Sequence, residues 1–154
     1  MNRGIRKLSC VGLCFVVVLV TVAGVFGQML KEPALDKIPK EYQDKHMPKG
    51  WWTDPNGIAE GKKIYEGMAN PEVICAACHG RDGKPLLRGT RDLRDAEYWN
   101  KMTDSYMYWR VAEGIPMTAM TAWKDKLTEE QIWKVIAYSH ALAHSGKAAE
   151  HIHK

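Results

Sequence analysis

Cys75-Ala76-Ala77-Cys78-His79 decides how this chain folds and what it holds. Two cysteines with two residues between them set their sulfurs at about the separation of the vinyl groups on one edge of a porphyrin. Each can then take a thioether bond, and the adjoining histidine falls beneath the iron as its proximal ligand. This is the pattern of covalent c-type haem attachment. It makes one haem c the expected cofactor and electron transfer the leading function. Three other readings compete with it. A redox dithiol calls for a βαβ surround, and no such pattern flanks the motif. A zinc site needs a second pair of ligands, and the remaining cysteines, Cys10 and Cys14, sit in an apolar N-terminal stretch. The third is a chance match, uncommon in a chain with only 4 cysteines.

That N-terminal stretch has its own reading. Arg3, Arg6 and Lys7 precede an uncharged, Val-rich run over 8–30, and a basic start before an apolar run is an export signal. Val25 and Gly27 are small enough for cleavage before Gln28. The run is also long enough to stay in a bilayer as a helix. Residues 1–27 are therefore read as a signal peptide or an N-terminal membrane anchor, with membrane attachment through residues 8–30 in the second case. Either form places the rest of the chain in the periplasm or on the extracytoplasmic face of the membrane. No lipobox precedes Cys10 or Cys14, which are read as apolar filler.

The formal net charge of +4 includes those three basic residues. From Gln28 onward the chain is nearly neutral, and haem propionates would take it slightly negative, so a nucleic-acid partner has no electrostatic footprint. Enough chain remains for one domain and a tether. Residues 28–53 are read as a polar tether: Pro33, Pro39 and Pro48 favour extended chain at about 3.1 Å per residue. Trp51 and Trp52 end it and are expected to pack on the adjoining domain.

The domain, 54–145, reads as all-α. Asp54 is a good N-cap and Pro55 suits the first helical position. Ile58, Gly61, Ile64, Tyr65 and Met68 recur at helical spacing until Asn70-Pro71. Gly61 is costly inside a helix and predicts a close crossing, with Ser139 and Ala143 of the last helix as the receiving surface. Thr103 caps a shorter helix that ends at Gly114. Thr128-Glu129-Glu130-Gln131 is a capping box opening the last helix. Residues 146–154 form a polar tail. Apolar residues are few for such a domain, and a haem would complete its core.

An iron with two strong protein ligands is usually an electron carrier's, and a thioether ligand raises its potential. Met102 and Met107 lie on or near a helix and read as core filler. Met117 and Met120 lie in the irregular stretch Gly114–Trp123, which can wrap a haem face and aim a side chain at the metal. Met120 is preferred and Met117 is the alternative. The histidines His46, His140, His144, His151 and His153 are rivals, most of them expected to be solvated.

The order of these parts is similar to that of bacterial class I monohaem cytochromes c, including the cytochrome c domains of terminal oxidases and nitrite reductases. A capped helix leads into C-x-x-C-H-G, then a short helix, Gly-Ile-Pro, a Thr-x-Met loop, a Trp and an amphipathic helix. The likeness spans about 54–143. It implies a class I cytochrome c fold, a few helices and long loops around one covalently bound haem. Family loops usually read Gly-x-Pro-Gly-Thr-x-Met-Pro-x-Trp or Phe, which implies iron ligation by His79 and Met120, with Trp123 as the aromatic beside the haem. Met117 stands where the family often has Gly, and Thr121 where it often has Pro. The family's Pro-x-Leu, whose backbone carbonyl orients the proximal imidazole, is matched by Arg91-Asp92-Leu93.

The resulting expectation is one-electron transfer outside the cytoplasm, between redox protein partners, with no catalytic residue. The alternative is a membrane-anchored subunit of a larger respiratory oxidoreductase complex. A minor alternative is an enzyme or gas sensor with an open iron site, which requires both Met117 and Met120 to be unligated.

Overall fold

The computed structural model describes residues 38–152. The expected signal peptide or anchor, 1–27, and the start of the tether lie outside the described residues. Among those described, the elements are a 3-10 turn at Lys40–Tyr42 and five α-helices: α1 Pro55–Tyr65, α2 Ala76–His79, α3 Ala96–Trp99, α4 Asp104–Glu113 and α5 Glu129–Ala143. There is no strand among them, as the absence of any alternating pattern predicts. No helix is long and apolar enough to cross a membrane, again among the described residues.

The three longer helices start where their caps direct. Asp54 accepts from Asn56 and Gly57 N–H with Pro55 at the first position. Thr103 accepts from Tyr106 N–H. Thr128 and Gln131 satisfy each other's backbone donors in a complete capping box. The helix α1 is shorter than its apolar spacing predicts. It ends at Tyr65, because Gly67 turns the chain at φ +77. Met68 is consequently exposed rather than on the buried face.

The helices α1 and α5 form the central crossing. A Cβ on Gly61 would fall on the Lys134 carbonyl, 2.6 Å from its carbon and 3.1 Å from Tyr138 Cβ. The close approach that Gly61 predicts is therefore real. It is received by Lys134 and Tyr138, not by Ser139 and Ala143, because the crossing lies one turn nearer the start of α5. Below it, Tyr65 is completely buried and its hydroxyl donates to the Gly80 carbonyl at 2.7 Å. Tyr138 stacks on Tyr65 edge to face at 5.1 Å. A core aromatic of α1 is thus tied to the chain immediately after His79.

Residues 38–53 are not a free tether. Met47 and Trp52 are buried in the core. Met47 N–H donates to Asp104 at 2.8 Å, Ser105 Oγ lies 2.8 Å from the Gln43 carbonyl, and the Tyr42 hydroxyl donates to Glu113. Proline content misleads here because it reports local stiffness, whereas two apolar anchors and the polar groups of α4 decide where the segment lies. The tail behaves likewise: His151 Nε2 donates to the Met102 carbonyl at 2.8 Å, and the ring stacks on Trp52.

Candidate functional site

The motif residues occupy a single turn of helix. Cys75 caps α2 with helical dihedrals, and its carbonyl accepts from Cys78 N–H at 3.2 Å and His79 N–H at 3.0 Å. Residues three and four apart share a helix face, so Cys75, Cys78 and His79 project to one side. Both cysteines are half-buried free thiols. Burial pushes the Cys75 thiol up to about 11.

The His79 ring is held by its Nδ1, which donates to the Arg91 carbonyl at 3.2 Å. A carbonyl only accepts, so the proton sits on Nδ1 and Nε2 is left with its lone pair. Burial lowers the His79 pKa, and the Arg91 carbonyl partly opposes that, so the imidazole is neutral near neutral pH. The contact uses backbone alone, which explains why Arg91 serves where the resemblance has Pro. The intervening loop is braced by Leu86 N–H to the Cys78 carbonyl at 2.9 Å and Leu93 N–H to the Gly83 carbonyl at 3.0 Å. The buried Trp99 indole donates to the Leu93 carbonyl at 2.9 Å.

Beside this turn, the apolar side chains of Ile74, Leu86 and Leu87 stand 45%, 67% and 48% exposed. Three large aliphatic groups left in water next to two thiols and an imidazole fit a large apolar ligand that would cover them.

The loop between α4 and α5 is tightly closed. Gly114 sits at φ +70, and the space a Cβ would need there is taken by the Met120 carbonyl and Thr121. Ile115 N–H donates to the Met120 carbonyl at 2.9 Å, and Met120 N–H donates to Thr118 Oγ1 at 3.1 Å. Met117 has φ +61 and is fully exposed. Met120 is half-buried. Trp123 packs against the core and its backbone N–H donates to the Ala112 carbonyl at 3.0 Å.

The other candidates separate cleanly. Met102 and Met107 are buried in the core, in line with a filler role. His46 is exposed and His144 half-buried. His140 corrects the expectation that the histidines are mostly solvated: it is 1% exposed, packed between Trp52 and Trp99 with His144 and His151 against it. Burial and those two neighbours lower its pKa to about 3. Sequence reasoning missed this because Trp52, Trp99 and His151 come from three separate segments outside α5. It also missed Arg110, a buried cation on α4; a basic residue within an aromatic helix was the available signal.

The sequence model of the family described as cytochrome c oxidase, cbb3-type, subunit III matches residues 56–138, more than half of the chain. Among solved structures, that of cytochrome CL from the marine methylotroph Methylophaga aminisulfidivorans MPT aligns at 17% identity with a TM-score of 0.49, covering 79% of this chain and 89% of that one. The chain belongs to the cbb3-type cytochrome c family and is a bacterial class I c-type cytochrome. Proteins of this family are electron carriers or electron-transfer subunits rather than enzymes in themselves, and their cytochrome c domains are generally extracytoplasmic. With a single C-x-x-C-H, the cofactor of this chain is one covalently bound haem c.

Proposed function

We propose that this cytochrome carries single electrons between protein partners outside the cytoplasm, with the haem held by Cys75 and Cys78 and the iron between His79 and Met120. The observation that carries the reading is the one-faced turn of α2, with His79 tethered through Nδ1 to the Arg91 carbonyl. The bound haem supplies a reversible ferric–ferrous couple. The residues supply everything else. Cys75 and Cys78 fix the ring by two thioether links. The Arg91 carbonyl sets the His79 tautomer and raises the basicity of Nε2. Ile74, Leu86, Leu87 and Trp123 exclude water from the ring. The closed turn from Gly114 to Met120 presents the Met120 thioether with little freedom to move.

Met120→Ala tests the assignment. It should abolish the thioether-to-iron charge-transfer band of the ferric protein and lower the reduction potential, while both thioether links remain by peptide mass analysis. A band that survives in this variant refutes Met120 as ligand. Rapid binding of carbon monoxide to the reduced wild-type protein at neutral pH refutes the carrier reading in favour of an open iron site.

A second reading is favoured by the family itself, whose description is of an oxidase subunit. In it, this chain is a membrane-anchored electron-transfer subunit of a respiratory oxidoreductase, attached through residues 8–30. Detergent extraction distinguishes the two: a carrier elutes at its own mass, whereas a subunit copurifies with a larger enzyme.

A further inference from the structure

Three histidines that take no part in the proposed haem site meet at the end of α5. His140 lies in the last turn of that helix and His144 caps it. Residues four apart share a helix face, and the two ring centres are 4.7 Å apart. The tail brings His151 against the same ring, 5.1 Å from His140 and at 90° to it. His140 is 1% exposed, and neither of its ring nitrogens has a hydrogen-bond partner. A neutral imidazole has one donor and one acceptor, and leaving both unmet in the core is costly. Trp52 and Trp99 pack on the ring through their own aromatic systems and supply neither partner.

The chemistry that answers an unmet imidazole lone pair beside two more imidazoles is a metal ion. A pair of histidines four apart on one helix face is a known way to grip zinc. At the usual Zn–N length, two imidazoles on one tetrahedral ion have ring centres about 5 Å apart, close to both separations here. His151 is prepared for the role. Its Nε2 donates to the Met102 carbonyl at 2.8 Å, which puts the lone pair on Nδ1. Metal-binding histidines commonly have their other N–H held by a carbonyl in this way. The tail that carries His151 is docked as well, since Thr53 Oγ1 donates to Glu150 at 3.1 Å. As the rings stand, no three such side chains among the described residues converge on one point. His140 is fixed between two tryptophans, whereas His144 and His151 are half-buried and can turn towards it by side-chain rotation.

We propose that His140, His144 and His151 form a binding site for one divalent transition-metal ion. An all-imidazole set suits zinc, copper or nickel, and suits magnesium or calcium poorly. The ion would satisfy the buried His140 and join the tail to the end of α5, under the Trp52 that belongs to the segment 38–53. Its role is that of a staple, and it uses none of the haem-site residues.

The test is calorimetric titration of the holoprotein with zinc chloride after treatment with a chelator, the protein carrying no added histidine tag. The wild type should bind one zinc per chain and leave the haem spectrum unchanged. His144→Ala and His151→Ala should each weaken binding by on the order of 10- to 100-fold or more, since a ligand is worth no less than the outer groups that orient it. His140→Phe, which keeps an aromatic ring between Trp52 and Trp99, should do the same. His46→Ala, at an exposed position away from the cluster, should bind as the wild type does. Absence of saturable zinc binding by the wild type overturns the proposal. So does wild-type affinity in any one of the three cluster variants, which would place the ion on the tail or elsewhere on the surface. If His140→Phe fails to accumulate, His144→Ala and His151→Ala decide by the same criterion.

Discussion

Replacing Met117 by glycine should make this protein more stable, although it removes a large apolar side chain and adds the most flexible residue. Met117 adopts φ +61, and its side chain is entirely in solvent. The substitution therefore forfeits no packing. A left-handed backbone costs an L-residue about 1–2 kcal/mol, a strain that glycine lacks. Against this, the added freedom of glycine in the unfolded chain costs about 0.4–1 kcal/mol. The balance is a gain of about 0.5–1 kcal/mol, or roughly 2–5 °C in Tm for a domain of this size. Denaturant and thermal unfolding of the holoprotein measure it directly. The same sample tests the ligand: Met117→Gly should keep the thioether-to-iron band and the reduction potential. Destabilisation would refute the strain argument, and loss of the band would make Met117 the ligand and refute Met120.

Two further predictions concern the scaffold. Gly61→Ala raises intrinsic helix propensity by about 1 kcal/mol, yet its methyl would sit 2.6 Å from the Lys134 carbonyl carbon. Parting α1 from α5 should make it a net loss of about 1–3 kcal/mol in urea unfolding, and a neutral or stabilising result would deny the close crossing. His140, lowered to about 3 in the folded protein, is neutral there while its unfolded counterpart takes up a proton below about pH 6.5. Its contribution is thus present above that pH and lost as pH falls towards 3, by at most about 2 kcal/mol between pH 7 and 5. Urea titrations at the two values should show this loss, and His140→Leu should flatten it; an equal slope in the variant would assign the acid sensitivity elsewhere.

The features legible in the sequence were local. Asp54, Thr103 and Thr128 mark helix starts because a capping side chain bonds to a backbone donor two or three residues away. Cys75, Cys78 and His79 share a face because one helical turn is fixed by its own hydrogen bonds. The features that escaped it were set at long range. Residues 38–53 read as tether because their anchors, Asp104, Ser105 and Glu113, belong to a helix half a domain away in the chain. The short helix α3 carries too few residues to show periodicity, although its Asp95 cap obeys the ordinary rule. His140 is defined by Trp52, Trp99 and His151, drawn from three other segments, and one residue type at one position says nothing of them.

The same long-range contacts explain how the 114–123 loop, proposed to carry the Met120 ligand, can dispense with the proline that the resemblance leads one to expect at Thr121. A carrier exchanging electrons quickly must keep its iron ligands in place through each change of charge, so the loop must be stiff. Here the stiffness comes from its ends. Ala112 accepts from Trp123 and Lys124 N–H at 3.0 and 3.1 Å, and Ile115 closes on Met120. Glu113, at the root of the loop, accepts from the Tyr42 hydroxyl and from Lys124 at 2.9 Å, which together hold its carboxyl below the usual range. Tyr42 belongs to the segment packed across α4, so that segment braces the mouth of the loop from outside. A proline would restrict one backbone angle, whereas this set of bonds fixes both ends of the turn that presents Met120.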